Sequence, residues 1–257
     1  MKNVINSSLT ADELLLCDRL RSMKLSAMAD AFEKQSEDPN ADLVPFLDRF
    51  SEIVNTEWQL RYDKKFNKNL KKATLRYPAA DLDETIYDPA RKLNTSAIEQ
   101  LAQCHWIDEG RNLLITGMTS SGKTYLSNAL CIAALRQHRT VKYIRAYHLM
   151  LELEQARLQS TYLDYVKSMV GLDLLAIDDF GLMELDLNKC RDLFEVIDGR
   201  DGRKSTIIIS QFPVNSWFDL FKDHTFADAC LSRITDKHHS FRLEMNGISM
   251  RETDMKA

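Results

Sequence analysis

The sequence predicts an α/β protein, a parallel sheet flanked by helices, preceded by a small all-helical N-terminal domain. From residue 98 onward, near-continuous apolar runs alternate with stretches at helical spacing. That is the pattern of a sheet buried on both faces by helices. Before Gly110 the 257-residue chain has no glycine, and its apolar residues recur at three and four, as in packed helices. Between an apolar run and a helical run, Gly117 and Gly122-Lys123-Thr124 fit the pattern G-x-x-x-x-G-K-[ST].

Taken in order, residues 9 to 76 read as helical, and residues 1–76 form the N-terminal domain. Leu14, Leu15, Leu16, Leu20, Met23, Leu25, Met28 and Phe32 make an apolar stripe. Thr10 with Glu13 three residues later is a capping-box pattern. Pro39 marks a break, and a second helix is expected over about Leu43 to Asn55, running on to Trp58. Residues 77–97 carry Pro78, Asp81, Asp83, Pro89 and Asn94 and read as a linker or strap. Residues 98–257 then form the sheet domain. Strands are expected at 112–116, 141–144, 172–177, 206–209 and 241–243. Helices are expected at 123–136, 187–197 and 226–235, with more than one across 147–170.

Composition bounds the class. The chain is 44% hydrophobic and 28% charged, values of a globular protein with a sizeable core. Cys17, Cys104, Cys131, Cys190 and Cys230 are scattered and form no C-x-x-C pair, which points to reduced buried thiols. The N-terminus lacks the apolar core of a signal peptide, and no run approaches the length of a membrane span. The expected location is the cytoplasm, without a membrane anchor.

The motif at 117–124 carries the chemistry. Backbone N–H groups from Gly117 through Met118, Thr119, Ser120, Ser121 and Gly122 can cradle nucleotide phosphates, and the helix beginning near Lys123 adds its positive end. Lys123 would reach the β- and γ-phosphates, the Thr124 hydroxyl would ligate Mg²⁺, and Tyr125 follows directly. The apolar run Leu174-Leu175-Ala176-Ile177 ends in Asp178-Asp179. On a buried strand about 55 residues after a phosphate loop, this pair reads as a Walker B element. Asp178 would bind Mg²⁺ and Asp179 would act as general base. The strand 206–209 ends in Ser210-Gln211. Gln211 either orients the lytic water, the role called sensor 1, or simply ends the strand. Arg233 lies on a helix after the last core strand and would reach a neighbouring subunit's γ-phosphate if subunits pack in a ring. Arg200 and Arg251 are further candidates.

Between residues 61 and 76, seven cations (Arg61, Lys64, Lys65, Lys68, Lys71, Lys72 and Arg76) face one acid, Asp63, in a chain of net charge −4. The lysines recur at helical spacing, so one face would track a phosphate backbone, with no base-reading motif visible. The alternative is a solvated charged face. Arg157 and Lys167, between the second strand and the Walker B strand, are a second DNA candidate.

With these residues in view, the chain resembles the IstB-like transposition helper ATPases, in the same AAA+ branch as the DnaC-like helicase loaders. The resemblance rests on the phosphate loop, Asp178-Asp179, Ser210-Gln211-Phe212-Pro213-Val214, Ala227-Asp228-Ala229 with Arg233, Gly247 with Ser249-Met250-Arg251, and the opening run Leu20 to Ala31. It implies an AAA+ ATPase domain over 98–257, with ATP and Mg²⁺ as cofactors. It also implies ATP-dependent, largely sequence-independent binding of duplex DNA, assembly into homo-oligomeric rings or helices, and recruitment and stimulation of an IstA-like transposase in target selection. The N-terminal domain would carry DNA or partner binding. Four departures stand out. Ser232 replaces the Asp usual beside the finger arginine, Met118 replaces a loop Pro, and Asp179 is one methylene shorter than the usual Glu. The short stretch after the last strand leaves no room for a C-terminal lid. Two other readings stay open: a DnaC-like loader of a replicative helicase, and an ATP-dependent DNA-binding scaffold with little turnover.

Overall fold

A computed structural model describes residues 9–85 and 93–245. Arg251, one of the arginine candidates, lies outside the described residues. The chain divides into two compact units, one through Asn67 and one from Lys68.

In the first unit, α1 (Ala11–Ser22) opens on the capping box. Thr10 Oγ1 accepts from the Glu13 N–H at 3.3 Å, and the Glu13 carboxylate accepts from the Thr10 N–H at 2.7 Å. Lys24, at φ +61°, turns the chain into α2 (Ser26–Ser36). Leu25 cannot cap α2 itself, so the Glu57 carboxylate accepts from the Ala27 and Met28 N–H groups at 2.9 and 3.3 Å. After a 3₁₀ turn at Ala41–Leu43, α3 (Phe46–Ala73) runs for 28 residues. No Gly or Pro interrupts residues 46–77, so nothing in the backbone ends the helix near Asn55 or Trp58 as expected. The leucines at 14, 15 and 16 remain exposed, so the predicted apolar stripe of α1 is only partly buried.

The second unit holds a five-stranded, all-parallel sheet in the order β2-β3-β4-β1-β5. Its elements are α4 (Thr95–Ala102), α5 (His105–Asp108), β1 (Asn112–Gly117), α6 (Lys123–Arg136), β2 (Val141–Arg145), α7 (Ala146–Leu158), α8 (Tyr162–Val170), β3 (Leu174–Phe180), α9 (Leu187–Arg200), β4 (Ser205–Ser210), α10 (His224–Thr235) and β5 (Ser240–Met245). Leu113 to Ile115, Leu174 to Ile177 and Ile207 to Ile209 are all buried, which is why the three central strands read as apolar runs. β5 lies at an edge and alternates buried with exposed positions, so only its middle was visible in the sequence. β3 starts two residues later than expected and runs through both aspartates, with a register irregularity between Ile177 and Phe180 that carries Asp178 and Asp179 past β4. Among the described residues no helix is long and apolar enough to cross a membrane. All five cysteines are buried and unpaired.

Arg200 is not a finger. It is 1% exposed and donates to the carbonyls of Met169 (2.6 Å), Leu172 (2.9 Å) and Ser205 and to Thr206 Oγ1 (3.0 Å). Burial pushes its guanidinium down to about 9. It ties the end of α8 to the start of β4, and cannot reach another subunit. Arg200→Met would leave three buried carbonyls short of a donor, at a cost of about 3–5 kcal/mol. Thermal unfolding of the variant is expected roughly 10 °C below wild type; an unchanged melting temperature would show that these carbonyls find other donors.

Candidate functional site

Parallel strands deliver their carboxyl ends to one edge of the sheet, where a ligand crevice forms at the switch in strand order. Here the tips of β3, β4 and β1 lie side by side. β1 ends at Gly117, whose φ is +143° and whose added Cβ would sit 2.0 Å from the Met245 carbonyl oxygen. No side chain fits there. Ser120 and Gly122 take left-handed φ values of +63° and +88°, and Gly122 caps α6. Such alternation turns successive N–H groups inward. The Met118 side chain points away, 65% exposed.

Lys123 is 7% exposed, and its ammonium donates to the Gly117 and Met118 carbonyls at 2.8 and 2.6 Å. Burial holds it below its ordinary value, opposed by the charges of Asp178 and Asp179. Asp178 receives three donors: Thr124 Oγ1 (2.8 Å) and the Tyr143 hydroxyl (2.6 Å) on Oδ2, and the Asp179 N–H (2.7 Å) on Oδ1. Asp179 sits at φ +57°, with Oδ2 3.4 Å from Arg145 Nε. Burial and then the charge of Asp178 push its carboxyl above the ordinary Asp value, opposed by Arg145, Arg76 and Lys123. Gln211, just past β4, accepts from Thr119 Oγ1 at 2.6 Å.

Lys123, Thr124, Asp178, Asp179 and Gln211 share one cleft of about 450 Å³, within the range of small-molecule sites. One wall is Thr119 through Leu126, with Asp178, Asp179 and Gln211, and the other is Arg76, Tyr77, Glu84 and Thr85. Tyr125 reaches across: its hydroxyl donates to Glu84 at 2.7 Å and accepts from the Asp81 N–H at 3.2 Å, and its ring packs on Tyr77. So Thr119 through Tyr125 come together with Asp178, Asp179 and Gln211, whereas Gly117 and Met118 do not line the cleft.

The remaining candidates lie elsewhere. Arg233 does not line its own chain's cleft. It pairs with Asp198 at 2.7 Å, stacks over Phe194 and donates to the Ala229 carbonyl. Asp198, on α9, thus supplies the acid that Ser232 does not. Arg157 is ion-paired to buried Asp192 and lies over the Tyr162 ring, with its own side chain still 54% exposed. Lys167 is exposed. Arg61 pairs with Glu57 and donates to the Lys24 carbonyl, so it serves the α1–α2 turn as well. Lys64, Lys65, Lys68, Lys71 and Lys72 are exposed on α3. Arg76 leaves the basic run and lines the cleft.

Sequence reasoning missed Arg76, Tyr77, Glu84 and Thr85 in the cleft, and Tyr143 and Arg145 on β2 behind Asp178 and Asp179. A signal for the last two existed. Tyr143 and Arg145 break the apolar character of β2, and the register sets Arg145 beside Asp178.

The family model described as "IstB-like ATP binding protein" matches residues 18–257. The chain belongs to this family. An insertion sequence ATP-binding protein of Sinorhizobium fredii is 35% identical to this IstB-like chain over 232 residues, covering 90% of it and 92% of the relative. One from Pseudomonas fluorescens is 35% identical over 195 residues, covering 76% and 84%. Among solved structures, the DnaC helicase loader aligns at TM-score 0.57 and 20% identity, over 66% of this chain and 99% of that one. AMPPCP-bound DnaA from Aquifex aeolicus aligns at 0.56 and 18%, over 71% and 55%. These last two likenesses are of fold alone: a parallel sheet flanked by helices.

The residues fit a hard cation. The Thr124 hydroxyl and the Asp178 carboxylate are oxygen donors 2.8 Å apart beside the phosphate loop. Mg²⁺ typically takes one or two protein oxygens there and fills its remaining sites with phosphate oxygens and water.

Proposed function

We propose that this IstB-like protein hydrolyses ATP and uses the bound nucleotide to control its assembly on duplex DNA, where it recruits and stimulates an IstA-like transposase. The observation that carries the hydrolytic part is the meeting of Lys123, Thr124, Asp178, Asp179 and Gln211 in one cleft. On binding ATP, Lys123 would exchange the Gly117 and Met118 carbonyls for β- and γ-phosphate oxygens. Thr124 and Asp178 would hold Mg²⁺, which when bound neutralises charge on the phosphates. Tyr143 keeps Asp178 aimed. Gln211, freed from Thr119, orients a water, and Asp179, freed from Arg145, takes its proton. The water oxygen bonds to the γ-phosphorus, the bond from that phosphorus to the bridging oxygen breaks, and ADP and phosphate leave. Arg233 would complete the charge stabilisation on a neighbouring copy's nucleotide after exchanging Asp198 for phosphate.

The transposase part is supported by the relatives' names, which tie them to insertion sequences, and the DNA part by the exposed lysines of α3. The test is ATPase rate with and without duplex DNA, beside sizing of protein–DNA complexes with and without ATP. DNA-stimulated turnover and ATP-driven assemblies are the expected result. If duplex DNA changes neither, a protein client such as a replicative helicase becomes the better reading.

A second reading, a scaffold that hardly turns over, has its own support: both water-handling groups are engaged, Asp179 by Arg145 and Gln211 by Thr119. Asp179→Asn separates the two. Turnover is expected to fall about 10²- to 10³-fold while ATP-driven assembly persists; normal turnover removes Asp179 as the base. The raised carboxyl of Asp179 also sets a sign. A base must be ionised, so activity is present above its value and lost as pH falls through it. The acid limb of the wild-type rate is expected above the ordinary Asp value of about 3.9, and absent from the residual rate of the variant.

A further inference from the structure

We propose that Arg76 reads the terminal phosphate of the nucleotide bound in its own chain. This inference rests on the nucleotide reading above and adds to it a residue that the basic run of the sequence had concealed.

Arg76 follows α3 and is clamped on both sides. Two residues before it, Thr74 Oγ1 donates to the Tyr143 carbonyl of β2 at 2.8 Å. One residue after it, the Tyr77 N–H donates to Asn128 Oδ1 of α6 at 2.9 Å. Both anchors lie on the body that builds the phosphate loop and the metal-binding edge. They hold residue 76 over the cleft. Its guanidinium lies over the Tyr77 ring, 5.6 Å from the centroid, and that ring packs on Tyr125. Stacking holds the planar fork in place and leaves its N–H edges for another partner.

No carboxylate among the described residues forms an ion pair with it. Arg145 faces Asp179, Arg157 faces Asp192, and Arg233 faces Asp198. Arg200 is used up on carbonyls. Arg76 is an arginine in the wall of the cleft with a rigid mount and no acid partner. Its position along the cleft indicates which phosphate it meets. It also lines the adjoining hollow with Tyr143 and Arg145, and its charge acts on Asp179. That is the hydrolytic end of the cleft, where the γ-phosphate would lie. A guanidinium fork suits two phosphate oxygens. Because Arg76 follows the end of α3, such a contact would also let the nucleotide state act on the helix that carries the exposed lysines.

The test uses the full chain and two probes, AMPPCP and ADP, titrated by calorimetry with Mg²⁺ present. Arg76→Ala and Arg76→Gln are expected to weaken AMPPCP binding about ten- to hundredfold and to change ADP binding by less than about twofold. Arg76→Lys, which keeps charge without the fork, should recover part of the loss. Melting temperatures without nucleotide should match wild type, and the salt slope of nucleotide-free DNA binding should not move. Equal effects on AMPPCP and ADP, or none on either, would overturn the proposal. A salt slope reduced by about one would return Arg76 to the DNA-contacting run and overturn it too. Lys123→Ala serves as the control. If it still binds AMPPCP, the nucleotide reading of the cleft fails. If it loses AMPPCP while Arg76→Ala matches wild type, only the role of Arg76 fails.

Discussion

Lys123→Ala yields a folded protein that neither binds nor turns over ATP. Without nucleotide, the Lys123 ammonium bonds only two loop carbonyls, and burial lowers its pKa. A lysine lowered on folding holds its proton less tightly folded than unfolded. Its charge therefore works against the nucleotide-free fold at neutral pH, and that penalty is relieved as pH rises. Removing the ammonium should leave the nucleotide-free melting temperature close to wild type. With ATP the sign is expected to reverse, because two phosphate oxygens would replace the two carbonyls and the charge would become the reason to bind. Loss of one preorganised donor to a developing anion costs about 10²–10³ in rate, and lost binding adds to it. Thermal melts with and without ATP make the check. Wild type should gain about 2.7 kcal/mol at a hundredfold excess of ATP over its dissociation constant, and the variant should gain nothing. An ATP-dependent shift that survives in the variant, or unchanged ATPase, would remove Lys123 from the phosphate site.

Reversing Lys64, Lys68 and Lys72 to Glu is expected to weaken duplex DNA binding about a hundredfold or more at physiological salt. The three recur every fourth residue on α3, and all are exposed, so they present one face to a phosphate backbone. Each phosphate contact contributes roughly 0.9 to the slope of log affinity against log salt, so losing three should flatten that slope by roughly 2.7. ATP binding should be unchanged, because none of the three lines the cleft. The measurement is a salt titration of binding to two unrelated duplexes. A uniform loss across both indicates backbone contacts. If the slope stays the same, the run is a solvated face.

The two predictions differ in how much of each was legible in the chain. The phosphate loop is eight consecutive residues whose spacing is set by the ligand's own geometry, so its signal is local. The central strands were legible for a related reason. Burial on both faces demands an apolar residue at nearly every position, as in Leu174 to Ile177 and Ile207 to Ile209. The lysines of α3 were legible as charge, but their helix was underestimated: no breaker marks where it continues.

Long cations were the least legible class. Arg76, Arg145, Arg157, Arg200 and Arg233 all look alike in a sequence, and each takes a different role. Arg200 caps buried carbonyls on two elements, Met169 of α8 and Ser205 of β4. Arg157 and Arg233 find acids on α9, 35 residues away in both cases. Arg145 meets Asp179 through strand register. The Asp absent beside Arg233 in the chain is replaced by Asp198 in space.

By itself the sequence determined the α/β class, the order of strands and helices, the phosphate loop and the aspartate pair, because each is written in neighbouring residues by periodicity or ligand spacing. Only the tertiary structure decided which side chains close the cleft and which arginines are free to act. A guanidinium on a flexible stem takes whatever acid, carbonyl or ring the fold brings within reach, and those partners lie tens of residues away along the chain.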